Sequence, residues 1–426
     1  METKRIPDDL QHLVCSAETA AQFIRDGDTV AFGCFGPAGS PKAVPVELAK
    51  TSKRVHFIGG ASSAIDDLLL NNMISRTPYQ QMPFTRKAIG LGIVDFVEMH
   101  LAELTRQLRY TKRKINVAVV ESCMIDQYGI APTTSVGSFF EFLELADRII
   151  VEVNSNQPLW LTQMHTEWPR QPEILKKIVA IVPTNLGDPP RETTIKDYEV
   201  GTLIGSHVQD FFMDEIFKGR LDYSLRPLEF GVGTITDAVA HCMAGGPWRG
   251  LQVQGEVIMD SVLDMMDAGV VDSAVGTGLY LSKEYTAKLE KYIGRLRLAP
   301  VTRTNDAGRI ASDETIAING LISASLAGEG NSSYLNGSIY NGIGGSCEFA
   351  QNALISIFVL PSTARGGSVS TIEPRLGHVD HISPNVDVLV TEQGFADLRG
   401  VSCARRKVLI MENCVHPSFR KAMSCV

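Results

Sequence analysis

Two glutamates stand where a parallel sheet would present them for chemistry. Glu256, in GLQVQGEVIMDSV, comes directly behind Gly255 and just after the alternating run Leu251–Gln254. Glu392, in VLVTEQGFADLRG, follows an apolar run in the same way. A carboxylate at the carboxyl end of a strand sits at the edge where α/β sites are built. There it can serve as a nucleophile, or as an acid and base. Either residue alone would also suit a solvated strand end or a helix cap. Glycine-rich loops accompany them. The most pronounced is SIYNGIGGSCEFAQNALISIFVLPSTARGGSVS (338–370), in which Gly342, Gly344 and Gly345 precede the apolar run Ile355–Leu360, and Gly366 and Gly367 follow it. Such clusters serve unusual backbone geometry or the close approach of another group. Cys347, inside the cluster, would be a thiol nucleophile if a histidine were paired with it. None is evident in the sequence, and a free cysteine otherwise packs as a small hydrophobe. The HVDH of His378–His381 lacks further well-spaced ligands, so a structural role and no metal site are expected.

A third loop, Gly33-Cys-Phe-Gly-Pro-Ala-Gly39, joins a strand to a helix. Its G-x-x-G-x-x-G spacing departs from the dinucleotide fingerprint, and no acidic ribose partner follows at a suitable strand end. A helix N-terminus receiving a substrate carboxylate or phosphate fits it better, as does a plain tight turn. No G-x-x-x-x-G-K-[ST], H-E-x-x-H or G-x-S-x-G occurs, which argues against NTPases, zincins and α/β-hydrolases. The formal charge is −8 with no Lys/Arg-rich run, so nucleic acid is not an expected partner. The 8 cysteines are scattered without a C-x-x-C pair, as in a reduced cytosolic protein. METKRIPDDLQHLV has no signal-peptide core, and no apolar run approaches the roughly 20 residues of a membrane span. A soluble, cytoplasmic protein is expected.

The elements that must position these residues are legible in the apolar pattern. Short β-rich runs at 28–32, 54–58, 116–120, 148–153, 177–182, 355–360 and 386–391 alternate with segments of helical spacing such as 17–25, 43–51, 95–108 and 236–243. Continuous apolar strands separated by helices predict parallel sheets covered on both faces, an α/β fold. The halves echo each other. GDTVAFGCFGPAGSPKAV (27–44) and LEFGVGTITDAVA (228–240) both end a strand in glycines and enter a helix. MIDQYGI (124–130) and ASLAGEGNSS (324–333) are both turn-rich, and ADRIIVEVN (146–154) and VDVLVTEQG (386–394) both place a glutamate near a strand end. Three echoes in the same order predict a duplicated α/β domain. In a chain of 426 residues that suggests a cut near Gly219–Pro227, giving domains at 1–219 and 220–426.

Residue chemistry alone leads to an α/β enzyme acting on a small, anionic substrate. The blocks GVGTITDAV, GEVIMDS, NGIGGSCEFAQNALIS, PSTARGG and VTEQGFADLRG go further. In this order and spacing the chain resembles the acetyl-CoA hydrolase/transferase family of class I CoA-transferases, over nearly its whole length. The resemblance implies two related Rossmann-like domains of the NagB/RpiA/CoA-transferase type, with mainly parallel sheets. It implies Glu256 as catalytic glutamate, Gly345 as the oxyanion-hole backbone donor, and Asn305 and Glu392 as further active-site residues. Gly231, Val232, Gly233, Thr234, Ile235, Ile322, Asn341, Gly345 and Arg365 match positions that contact coenzyme A. The implied reaction passes CoA between carboxylic acids through an acyl-glutamyl anhydride and a glutamyl-CoA thioester, with CoA and acyl-CoA as cosubstrates, no tightly bound cofactor, and a homodimer. Hydrolysis of acyl-CoA, or CoA binding without catalysis, are the alternatives. The chain departs from the family at Gln254-Gly255, where a bulky residue and threonine commonly precede the glutamate, and at Cys347-Glu348, where Gly-Asp is common. The lost bulk before Glu256 should alter the pocket beside it, and both departures leave the donor and acceptor acids open.

Overall fold

Residues buried on both faces of a parallel sheet have no polar side to show, and the strands of this chain are accordingly near-continuous apolar runs. A computed structural model describes residues 4–33, 35–59, 65–77, 83–111, 114–166, 171–192 and 198–424. The chain forms two compact units. One comprises residues 1–191, 275–304 and 339–344, the other 192–274, 305–338 and 345–426.

The first unit is built on seven strands, β1 (Thr29–Gly33), β2 (Val55–Gly59), β3 (Met73–Thr77), β4 (Asp95–Phe96), β5 (Ile115–Ser122), β6 (Ala146–Asn154) and β7 (Ile178–Thr184), in the order β4-β3-β2-β1-β5-β6-β7. Every pairing is parallel. Val30, Phe32, Phe57, Val117, Val119 and Ile150 interlock in its core. The order reverses between β1 and β5, so their carboxyl ends form the crevice in which open α/β sheets usually place a ligand.

That crevice corrects one expectation. The N-terminus of helix α1 (Val44–Ala49) does not await an external anion. The carboxylate of Glu152, at the end of β6, accepts from the backbone N–H groups of Lys42 (2.7 Å), Ala43 (2.9 Å) and Val44 (2.7 Å). Lys42 Nζ is in turn engaged by Glu121 and by Asp188 at 2.8 Å. The chain's own carboxylates fill the seat that the helix end and the lysine would offer. Cys34 of this loop lies outside the described residues. A second difference is at 95–108, where helical spacing gives way to β4, zipped onto β3 through Ser75 and Arg76, with a helix only at Glu103–Tyr110. Strand pairing overrides local periodicity there.

The second unit repeats the plan. Among its strands, β8 (Leu228–Phe230), β9 (Leu251–Gln254), β10 (Ile316–Gly320), β11 (Ile355–Val359), β12 (Val388–Thr391) and β13 (Gly394–Asp397) run in the order β9-β8-β10-β11-β12-β13. All pairs are parallel except the terminal hairpin β12–β13. The first strand again lies between the second and the third, as β1 does between β2 and β5, which is the duplication in structural form. Helix α2 (Tyr198–Phe217) belongs to this unit. Its Phe211 meets Phe395 edge-on at 5.7 Å, and Phe212 meets Trp248 at 5.9 Å.

The fold is thus mixed α/β with mainly parallel sheets. Among the described residues no helix is long and apolar enough to cross a membrane. Cys15, Cys123, Cys242, Cys347, Cys403 and Cys414 are free thiols, while Cys425, like Cys34, is outside the described residues.

Candidate active site

Three segments of the second unit converge on the Glu256 carboxylate. Strand β9 ends at Gln254, and Gly255 and Glu256 follow before the chain enters helix α4 (Asp260–Asp267). Asn305, 1% exposed, directs Nδ2 to Glu256 Oε1 at 2.7 Å. Gly345 immediately precedes helix α5 (Ser346–Asn352). A methyl group placed on Gly345 would lie 1.6 Å from Glu256 Oε1 and 2.1 Å from Asn305 Nδ2. The glycine is therefore required by its neighbours and not by its own backbone, whose φ of −103° is open to other residues. Three of the four residues singled out for catalysis in the sequence thus share one site.

Burial pushes the Glu256 carboxyl up to about 7; the Asn305 hydrogen bond pulls it down, and the charge of Glu348 adds to the rise. The group is poised between its protonated and its ionised form near neutral pH. Two opposite shifts follow. Glu348→Gln removes a negative neighbour, so Glu256 should ionise at a pH lower by roughly one unit, whereas Asn305→Ala should move its ionisation upward by a similar amount. Carbodiimide labelling of Glu256 against pH, read by mass spectrometry, checks both. No movement in either variant would contradict this account of the site's electrostatics.

Glu392 is placed differently. Its carboxylate accepts from Ser362 N at 2.8 Å, from the Ser362 hydroxyl and from Gln393 Nε2 at 3.0 Å. Burial raises its carboxyl, but these hydrogen bonds outweigh the effect and hold it below the usual range. Its hydrogen-bond partners among the described residues do not include the Glu256 group.

The positions matched to CoA contacts fall into three places. Residues 231–233 link β8 to helix α3 (Thr234–Met243), which Thr234 and Ile235 open, and the Thr236 hydroxyl closes the turn onto the carbonyls of Gly231 and Gly233. A side chain at 231 would collide with Asn319, since its Cβ would fall 2.3 Å from Oδ1. Ile322 and Arg365 line a cavity of about 510 Å³ with Tyr334, Asn336 and His378. Arg365 sits at φ 51° in a hairpin tip continued by Gly366 and Gly367 at φ 65° and 87°. Asn341 belongs to the first unit, where Arg86 Nη2 donates to its Oδ1 at 3.1 Å and the guanidinium lies 3.7 Å over the Tyr340 ring.

The histidine pair is engaged within the protein. His378 stacks on Tyr334 at 3.9 Å and its Nε2 meets Asp380 at 2.9 Å, while His381 Nε2 meets the hydroxyls of Ser332 and Ser346 at 3.2 and 3.3 Å. The histidine that the sequence did not supply for Cys347 is His381, whose Nδ1 is 3.6 Å from Sγ. It does not make a nucleophile of the thiol. Burial, reinforced by Glu348 and Asp380, pushes Cys347 up to about 12, so it stays a neutral core thiol.

Two polar residues beneath the site escaped the sequence reading, Glu229 and Asn319, joined at 2.7 Å. The available signal was an acid in the middle of the apolar strand LEF, where a parallel sheet has no solvent to offer.

A family model described as the acetyl-CoA hydrolase/transferase N-terminal domain matches residues 4–172, and its C-terminal counterpart matches residues 283–425. The chain is 34% identical over 450 residues to a succinyl-CoA:acetate CoA-transferase of Clostridium kluyveri, covering 96% of this chain and 84% of that protein. It is 33% identical to a propanoyl-CoA:succinate CoA transferase of Escherichia coli, covering 95% and 91%. An acetyl-CoA hydrolase of Saccharomyces cerevisiae is 30% identical, with 96% and 88% covered. In fold, the chain superposes on a 4-hydroxybutyrate CoA-transferase of Porphyromonas gingivalis with a TM-score of 0.73 at 21% identity, over 98% and 97% of the two chains.

Proposed function

The chain belongs to the acetyl-CoA hydrolase/transferase family, and from that premise we propose that it moves coenzyme A between small carboxylic acids with Glu256 as nucleophile. It is an enzyme. The observation that carries the reading is the glycine at 345, whose missing side chain leaves the space in which the Glu256 carboxylate and the Asn305 amide meet.

In this reading a Glu256 oxygen attacks the thioester carbonyl carbon, and the C–S bond breaks to give an acyl-glutamyl anhydride and CoA thiolate. The thiolate then attacks the glutamyl carbonyl. The anhydride C–O bond breaks, the first carboxylate departs, and CoA is left as a thioester on Glu256. An incoming carboxylate reverses the two steps and leaves as a new acyl-CoA. Each addition forms a tetrahedral oxyanion, and a preorganised backbone donor such as the Gly345 N–H is worth ~3–4 kcal/mol to it. Asn305 fixes the carboxylate for attack. Residues 231–235, Ile322, Asn341 and Arg365 are assigned to CoA by resemblance, as is Glu392 to the active site. A homodimer in the cytoplasm and the absence of a tightly bound cofactor belong to the same reading.

A second reading, hydrolysis, is favoured by the 30% identity to the yeast acetyl-CoA hydrolase. The two separate on product analysis with acetyl-, propanoyl- and succinyl-CoA, each incubated with and without acetate or succinate. Transfer predicts a new acyl-CoA only when acceptor is present, with little free CoA in its absence. Steady release of free CoA without acceptor would favour the hydrolase.

A further inference from the structure

We propose that Glu229, tied to Asn319, is a positioning residue for Glu256, acting from beneath the turn that presents it. The inference rests on the reading of Glu256 as nucleophile. Strand β8 runs between β9 and β10, and its central residue is an acid. Glu229 is 2% exposed and Asn319 5%. Asn319 Nδ2 donates to Glu229 Oε2 at 2.7 Å.

Two glycines abut this pair. The Cβ of a residue at 231 would lie 2.3 Å from Asn319 Oδ1, so the amide presses directly against the loop that follows β8. The Cβ of a residue at 255 would lie 3.5 Å from Glu229 Cγ, so the stem of Glu229 is within van der Waals reach of the residue before Glu256. The pair therefore braces two segments at once, the 231–235 loop and the Gly255–Glu256 turn, both within the second unit. A buried acid is a costly occupant of a central strand position, where a leucine would pack without desolvating a carboxyl. Its placement directly behind the nucleophile gives that cost a purpose.

The protonation state fits the role. Burial first, and then the charge of Glu256, raise the Glu229 carboxyl well above the usual range, and Asn319 donates to its Oε2. Both causes favour the uncharged form, the one that braces Glu256 without setting a charge beside it. Glu256 is the charged group that bears on Glu229, and Glu348 is the other acid that bears on Glu256.

The test is the rate of CoA adduct formation on Glu256 against pH, followed by mass spectrometry after rapid mixing with acetyl-CoA and no acceptor, in the native protein, Glu229→Ala and Glu229→Gln. Glutamine keeps an uncharged oxygen for Asn319; alanine keeps nothing. Glu229→Ala should label about 30-fold more slowly, with the half-saturating acetyl-CoA concentration changed by less than about 3-fold. Glu229→Gln should recover most of that loss and leave the acid limb within about 0.3 pH unit of the native position, the outcome expected where Glu229 braces in its uncharged form. If Glu229→Ala fails to fold, Glu229→Asp, one methylene shorter, should show the same slowing. Native labelling in Glu229→Ala would overturn the inference. So would an acid limb displaced downward by about one pH unit in Glu229→Gln, because Glu229 would then have been acting as a charge. A native protein that never labels would instead strike at the reading of Glu256.

Discussion

Replacing Glu256 by glutamine is expected to lower CoA transfer by about 10⁴-fold or more, because an amide cannot form the anhydride. The native enzyme should show an acid limb in kcat/KM with a midpoint near the Glu256 value of about 7, activity falling as the pH drops and the nucleophile protonates. The same substitution should stabilise the fold at alkaline pH. A carboxyl whose folded-state value is raised contributes stability that is fully present below its unfolded value and lost as pH rises through the folded one. Ionisation of Glu256 therefore burdens the native state increasingly as pH rises from its unfolded value to about 7, and glutamine removes that burden, by about 3 kcal/mol at pH 8 and little at pH 4. Denaturant melts of the two proteins at pH 5 and pH 8 measure it. An equal gap at both would mean that Glu256 is not the perturbed group.

Gly345→Ala should cost about 10³-fold in kcat with the fold intact. Its φ of −103° and ψ of 6° accept alanine, so the damage falls on the neighbours. A methyl carbon 1.6 Å from Glu256 Oε1 cannot coexist with the present carboxylate position, and the Asn305 amide at 2.1 Å must move as well. The control is Gly269→Ala, just beyond helix α4. There φ is 71° and nothing lies within 4 Å of the added methyl, so stability should fall by about 1 kcal/mol with no loss of rate. Steady-state kinetics and thermal melts of the two variants separate the effects. A Gly345→Ala enzyme with native kcat would show that the space at 345 is not what the chemistry uses.

Much of this was legible from the sequence, for physical reasons. Strands such as β5 and β11 are buried along nearly all their length and read as largely apolar runs. Glu256 stood out as an acid behind a glycine at a strand end, a position that also suits a solvated strand end or a helix cap, and the glycine-rich loops and the family resemblance marked it as the candidate nucleophile. What stayed hidden were partnerships over long stretches of chain. Asn305 and Glu256 are 49 residues apart, and Glu229 and Asn319 are 90 apart. Glu152 reaches the α1 N-terminus across 108 residues and closes the anion seat that the 33–39 loop seemed to leave open. His381 arrives beside Cys347 by the same kind of return. Local pattern fixes which face a residue takes. Only the folded sheet decides which other face it meets.

The measurement that bears most directly on the central claim is peptide mapping of the enzyme after mixing with acyl-CoA in the absence of a carboxylate acceptor. A CoA adduct is expected on the peptide carrying Glu256, absent in Glu256→Gln, and discharged when a carboxylate is added as a new acyl-CoA appears. Turnover with no adduct at Glu256, or an adduct on any other residue, would contradict it.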